Sequence, residues 1–138
     1  MTEIEKLIVK IENDIAAAFN RRDLDGVLNF FDEGVIGFSS TKHERLRGLE
    51  GLRKTFHYYL QQSEKVEFAL DEIKVQNFGL VAVSTFYWSV TKISGKREHE
   101  IHGRGSHVFL ERNAQWKIVH EHFSRSHRQP ELWDTSPG

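Results

Sequence analysis

The chain of 138 residues contains no cysteine, two prolines and one methionine. Without cysteine, disulfides and thiolate chemistry are excluded. No apolar run approaches the ~18 residues that a membrane helix needs. The opening, MTEIEKLIVKIEND, interleaves acids with apolar residues, which is neither a secretory nor a transit pattern. A cytoplasmic protein is the expectation. Charge of one sign is also missing: 19 basic and 20 acidic residues nearly cancel and are dispersed along the chain. A nucleic-acid binder would show a basic excess, so none is expected. There is no phosphate loop and no dinucleotide fingerprint, and Gly48-Leu49-Glu50-Gly51 lacks the lysine a phosphate loop needs. No cofactor is expected. Aromatics, by contrast, are plentiful: ten Phe, three Trp and three Tyr could fill a core or line a pocket.

The first half of the chain has helical periodicity. Ile4, Leu7, Ile8, Ile11, Ile15, Ala18 and Phe19 recur at three- and four-residue steps and share one face. Thr2 and Glu5 have the spacing of a capping box. After a break at Asn20 to Asp23, Asp23 caps a short second helix carrying Leu24, Val27, Leu28 and Phe31, which Gly34 ends. Val35 to Ser40 predicts a short strand. A charged loop, Thr41 to Arg47, leads to a third helix over Leu49 to Leu60.

The second half changes to period two. Val66, Phe68 and Leu70 alternate with polar residues, and Ile73 and Val75 resume after a one-residue slip, the signature of a bulge. Strands are predicted at Leu80 to Ile93, Arg97 to Glu111 and Trp116 to Ser124. Asn77-Phe78-Gly79 and Ser94-Gly95-Lys96 are the turns between. Three helices followed by a four-strand meander predict an α+β domain over 1–124, with an irregular tail over 125–138.

The last hairpin decides which residues share a face. A two-residue loop at Asn113-Ala114 would pair Arg112 with Gln115. A three-residue loop over Arg112 to Ala114 would pair Glu111 with Gln115 and force Ala114 left-handed, at roughly 1 kcal/mol. We favour the second, because it pairs Leu110 with Trp116 and Val108 with Ile118. Ser106 then meets His120, Arg104 meets His122, and Gly105 sits opposite Glu121. The other face holds His107, Phe109, Val119, Glu121 and Phe123, with Gly103 and Gly105 leaving room for something to approach.

That second face is the candidate pocket. His107 would lie diagonal to Glu121, ~7–8 Å away and within side-chain reach. A Glu–His pair in an aromatic recess suits acid–base work, because the recess desolvates the carboxyl and the partner fixes the imidazole tautomer. The same two residues also fit a purely structural pair. Trp88, Phe86, Phe109 and Phe123 are candidate walls, Phe86 equally a core residue, and Ser39 stands near a strand end as a further ligand-binding candidate. The opposite face, with Val108, Leu110, Trp116 and Ile118 joined by Tyr87 and Val83, is too apolar to leave in water, so a homodimer through outer sheet faces is expected. Arg104, His120 and His122 would make polar contacts there. His120-x-His122 alone is no metal site, since no carboxylate joins that face. Ser39 and Ser124 have no base at hand for a nucleophilic triad.

These segments carry a family likeness. AAAFNRRDLDGVLNFFDEGVIGF (Ala16 to Phe38) resembles the first helical pair and strand of ketosteroid isomerases and SnoaL-like proteins. RGLEGLRKTFHYYL (Arg47 to Leu60) resembles their third helix. RGSHVFLERNAQWKIVHEHFS (Arg104 to Ser124) resembles the closing hairpin of SnoaL-like domains and of the association domain of calcium/calmodulin-dependent protein kinase. The resemblance spans about Glu3 to Ser124. It implies the nuclear transport factor-like, cystatin-like cone: helices on a curved, mainly antiparallel sheet with an internal pocket, often dimeric. It supports the three-residue loop, since relatives commonly have Gly where Ala114 stands. It also implies what is missing. The isomerase's catalytic Tyr matches Ile15, its proton-shuttling Asp matches Ser39, and its second oxyanion acid falls near His107. Steroid isomerisation is therefore not expected. The kinase domain's pocket arginines match Trp88, His107 and Phe123, so a more aromatic, less cationic pocket for a small neutral or planar ligand is implied. Because this fold hosts enzymes, binding proteins and assembly modules alike, a non-catalytic module is the alternative.

Overall fold

A computed structural model describes residues 1–125. Two long helices carry the amphipathic stripes read from the sequence. α1 (Glu3–Asn20) starts at the expected capping box, with Thr2 accepting from the Glu5 backbone and the Glu5 side chain accepting from Thr2 N–H. α2 (Leu24–Leu28) is capped by Asp23, whose carboxylate accepts from Gly26 N–H. α3 (Gly48–Leu60) buries Leu52, Thr55 and Leu60.

Six strands follow or intervene: β1 (Phe31–Phe38), β2 (Leu46–Arg47), β3 (Lys65–Phe78), β4 (Val81–Ser94), β5 (Arg97–Arg112) and β6 (Gln115–Arg125). They form one sheet in the order β2-β1-β6-β5-β4-β3. β3 to β6 are the expected antiparallel meander. β1 then lies parallel to β6, and β2 adds an antiparallel edge. The domain is α+β, with α1 packed on β3 and α3 on β1. Three register breaks bend the sheet around the helices: in β1 between Phe31 and Ile36, in β3 between Asp71 and Lys74, and in β6 opposite Val108 and Phe109.

Several boundaries differ from the sequence reading. Phe31 opens β1 instead of ending α2; it pairs with Ile118 and is buried, so its burial is satisfied from the sheet. Phe78 still belongs to β3, and the turn is Gly79-Leu80. Arg125 is the last residue of β6, paired with Gly103, so the strand outruns the expected boundary. The remainder of the expected tail lies outside the described residues.

The last hairpin overturns the favoured register. Its loop is the two-residue Asn113-Ala114, both left-handed (φ 51° and 62°), and Arg112 pairs with Gln115. Leu110 faces Lys117, not Trp116, and Phe109 faces Ile118. Val119 is then bulged out, and Val108 pairs with His120, His107 with Glu121, Ser106 with His122, Gly105 with Phe123 and Arg104 with Ser124. The bulge is what burial demands. Trp116 and Ile118 sit at even positions, Glu121 and Phe123 at odd ones, and all four point inward because one extra residue inverts the parity between them. Trp116 and Ile118 therefore belong to the core, not to the outer face where dimer contacts were expected.

Candidate functional site

The inward face of β4 and β5 carries the site. Ala82, Ser84, Phe86, Trp88 and Val90 point in from β4, and Gly103, Gly105, His107 and Phe109 from β5. The two glycines stand directly opposite Trp88 and Phe86. A Cβ on Gly103 would lie 2.2 Å from the Trp88 ring, and one on Gly105 2.4 Å from Phe86. What approaches at these glycines is therefore the chain's own aromatic rings, packed against bare backbone. The Trp88 indole N–H is satisfied by the Arg104 carbonyl at 2.9 Å.

His107 lies at the centre of a buried line of three ionisable side chains. Its Nε2 is 2.7 Å from Glu121 Oε1, the residue directly opposite on β6. Its Nδ1 is 2.9 and 2.8 Å from the two oxygens of Glu12, on α1. The three side chains are 1–5% exposed. Burial alone would lower the imidazole pKa. The two carboxylates, Glu12 first, outweigh it through charge and hydrogen bonding and push His107 up to about 10. Around the imidazolium stand Phe86, Phe31, Phe123 and Phe109, with ring centroids 5.2 to 6.1 Å away. Such rings favour a cation.

Beside this line is a cavity with about 50 Å³ open to the centre of a water-sized sphere. That admits about three or four waters or a head group of a few heavy atoms, against the ~150 Å³ that takes a benzene ring. Glu121, His107, Trp88, Phe86, Phe123 and Ser39 all line it. Phe109 does not: it is fully buried behind His107 and packs edge-on against its ring. Trp88 and Phe68 each stack on Phe123, at 29° and 24° between ring planes. On a separate wall, Tyr59 of α3 shares a 2.6 Å hydrogen bond with Ser40. Burial raises the Tyr59 pKa, against its Ser40 and Thr41 hydrogen bonds and the charge of Arg125.

The remaining candidates lie on the sheet's other side. Val83 pairs with Val108, Val81 with Leu110 and Tyr87 with Arg104. Tyr87 is 53% exposed. His120 and His122 also point outward, away from the cavity, and among the described residues no cluster of three metal-ligating groups forms.

Sequence reasoning missed Glu12 and Tyr59. Glu12 had a signal: it stands four residues after Ile8 and three before Ile15, inside the apolar stripe of α1. A charged residue at a core position requires a buried partner. Tyr59 had none, since a tyrosine on an apolar helix face reads equally as core.

A curved sheet closed over helices, with an inward acid–imidazole–acid line beside an aromatic cavity, defines a pocketed cone of the cystatin-like type. The chain belongs to the SnoaL-like domain family, whose model matches residues 8–127. No curated protein matches it in sequence. Among solved structures, it is similar to an NTF2-like protein of unknown function from Pseudomonas putida KT2440 (18% identity, 99% of each chain, TM-score 0.82). It also resembles a nuclear transport factor 2-like superfamily protein from Salmonella enterica serovar Typhimurium LT2 (20% identity, 96% of this chain and 94% of that one, TM-score 0.77). A third is the CaMKII hub of S. rosetta (21% identity, 91% of this chain and 99% of that one, TM-score 0.77). At these identities the likeness concerns the fold. Among the described residues no helix is long and apolar enough to cross a membrane.

Proposed function

We propose that this is a small-molecule pocket protein in which Glu121 moves a proton to or from a compact organic ligand. The observation that carries this reading is the buried line Glu12–His107–Glu121. Glu121 Oε1 is held by His107, and among the described residues Oε2 has no hydrogen-bond partner, on a side chain that lines the cavity. Both His107 nitrogens are engaged, so His107 and Glu12 are positioning residues and Glu121 is the group that meets the ligand. Trp88, Phe86 and Phe123 are apolar walls for a planar substrate, with Ser39, Ser40 and Tyr59 as polar contacts across the cavity. Isomerisation, cyclisation and dehydration all rest on such a transfer. Steroid isomerisation is not the proposed activity, since Ile15 and Ser39 replace the groups it uses. The test is deuterium incorporation from D2O into a panel of small planar carbon acids, read by mass spectrometry. Wild type should exchange at least one of them faster than Glu121→Gln, with the variant still folded. Equal exchange across the panel would overturn the reading.

A second reading, an assembly module, is favoured by the outer face. Val81, Val83, Val108 and Leu110 form a contiguous apolar strip beside exposed Tyr87, flanked by Arg104, His120 and His122. We propose that a second copy covers this strip, without Trp116 and Ile118. Sedimentation at micromolar concentration should give a dimer, and Val108→Glu a monomer; a monomeric wild type would refute it.

A further inference from the structure

The proton count of the buried line identifies what kind of ligand the cavity takes. Two hydrogen bonds join His107 to its two carboxylates, one through Nδ1 and one through Nε2. Each needs one proton. Two carboxylates and an imidazole holding two protons carry a net charge of −1, whichever atoms the protons sit on. Among the described residues, no lysine or arginine lines the cavity, and its other walls are Phe, Trp, Tyr, aliphatic and hydroxyl side chains. An uncompensated charge so deeply buried is costly and is neutralised in one of two ways. A third proton can bind, or a cation can. Both Glu12 oxygens already face Nδ1, and Glu121 Oε1 faces Nε2, so Glu121 Oε2 is the place for either.

We propose that the cavity receives the cationic, planar head of a small organic molecule, such as an amidinium or iminium group, seated against Glu121 Oε2. This rests on the reading that Glu121 faces the ligand, and it names the substrate class. The aromatic walls suit it: Trp88, Phe86 and Phe123 line the cavity, and aromatic rings attract cations. The chemistry suits it too. When Glu121 takes a proton from a cation, the bond to hydrogen breaks, its electron pair stays on the substrate, and carboxylate and cation both become neutral. In an apolar cavity that removes two charges, whereas deprotonating a neutral substrate only relocates one. The size limits the head to a few heavy atoms.

Acetamidinium, acetamide and acetate are planar, nearly isosteric and differ in charge, so they isolate this term. The protein is titrated with each, following amide and indole NMR shifts of Trp88 and its neighbours. Acetamidinium should saturate the cavity in the ~0.1–10 mM range open to so small a probe. Acetamide should bind at least tenfold more weakly and acetate not measurably. The charged or titratable groups facing Glu121 are His107 from β5, Glu12 from α1 and Tyr59 from α3. Arg125 acts on Tyr59 from the exposed end of β6. Glu121→Gln should erase the preference for the cation; if that variant does not fold, the wild-type comparison decides alone. Acetamide binding as well as acetamidinium, or no saturation by acetamidinium, would overturn the proposal. The proton-transfer reading fails separately: a cation preference with no Glu121-dependent deuterium exchange would leave a binding site without chemistry.

Discussion

Replacing Glu12 by Gln tests the buried line most directly, because Gln keeps the shape and an acceptor for Nδ1–H while removing the charge. His107 is raised from 6.5 to about 10, so folding stabilises its protonated form by about 5 kcal/mol. The sign follows from a folded pKa above the unfolded one. This stabilisation is fully present below 6.5, falls by ~1.4 kcal/mol per pH unit above it, and is gone once pH exceeds about 10. Glu12 is the strongest of the groups raising His107, so Glu12→Gln should lower the folded pKa. The variant then loses less stability between 6.5 and 10, and its loss ends at lower pH. Urea unfolding from pH 6 to 10.5 gives the stability curves, and imidazole ¹⁵N shifts follow His107 itself. Lysines and tyrosines that titrate at the alkaline end act on both proteins, so the difference between the curves is the quantity read. If wild-type His107 loses its proton near 6.5, or the two curves run parallel, the charged clamp is refuted.

Three further substitutions probe the scaffold. Gly103→Ala drives a Cβ to 2.2 Å from both the Trp88 ring and the Ser124 carbonyl, and should cost about 1–3 kcal/mol with a shifted Trp fluorescence maximum. Ser84 is fully buried and its hydroxyl has no hydrogen-bond partner among the described residues, so Ser84→Ala should stabilise the fold by about 1 kcal/mol, read as a higher urea midpoint. Ala114 is left-handed at φ 62° in a two-residue turn after Asn113, and Ala114→Gly should stabilise by roughly 0.5–1 kcal/mol in the same assay.

Much of the fold was legible because it repeats locally. The stripe from Ile8 to Phe19, the Thr2–Glu5 box and the Asp23 cap depend on neighbours within a turn of helix, and each forms where the pattern places it. The candidate pair His107–Glu121 was also legible, though as a diagonal; the β6 bulge makes it a direct cross-strand pair. That bulge was not legible, because the regular three-residue loop kept Leu110, Trp116, Val108 and Ile118 on one face, whereas a regular two-residue loop mixed the faces. Only the demand to bury Trp116, Ile118, Glu121 and Phe123 together selects an irregular register. Phe31 was misassigned for a related reason: five residues of helix and the start of a strand share the same apolar spacing, and its partner Ile118 is far away in sequence.

By itself, then, the amino-acid sequence determined the absence of thiol chemistry, the helical and extended segments, the aromatic richness and the carboxylate and imidazole that meet across β5 and β6. These follow from composition and short-range periodicity. The tertiary structure decided which face of β6 turns inward, that the glycines seat Trp88 and Phe86, and that Glu12, 95 residues before His107, completes the line. Hydrogen bonds between distant residues and the charge they trap in a cavity depend on packing α1 against the sheet, and no local pattern encodes that distance.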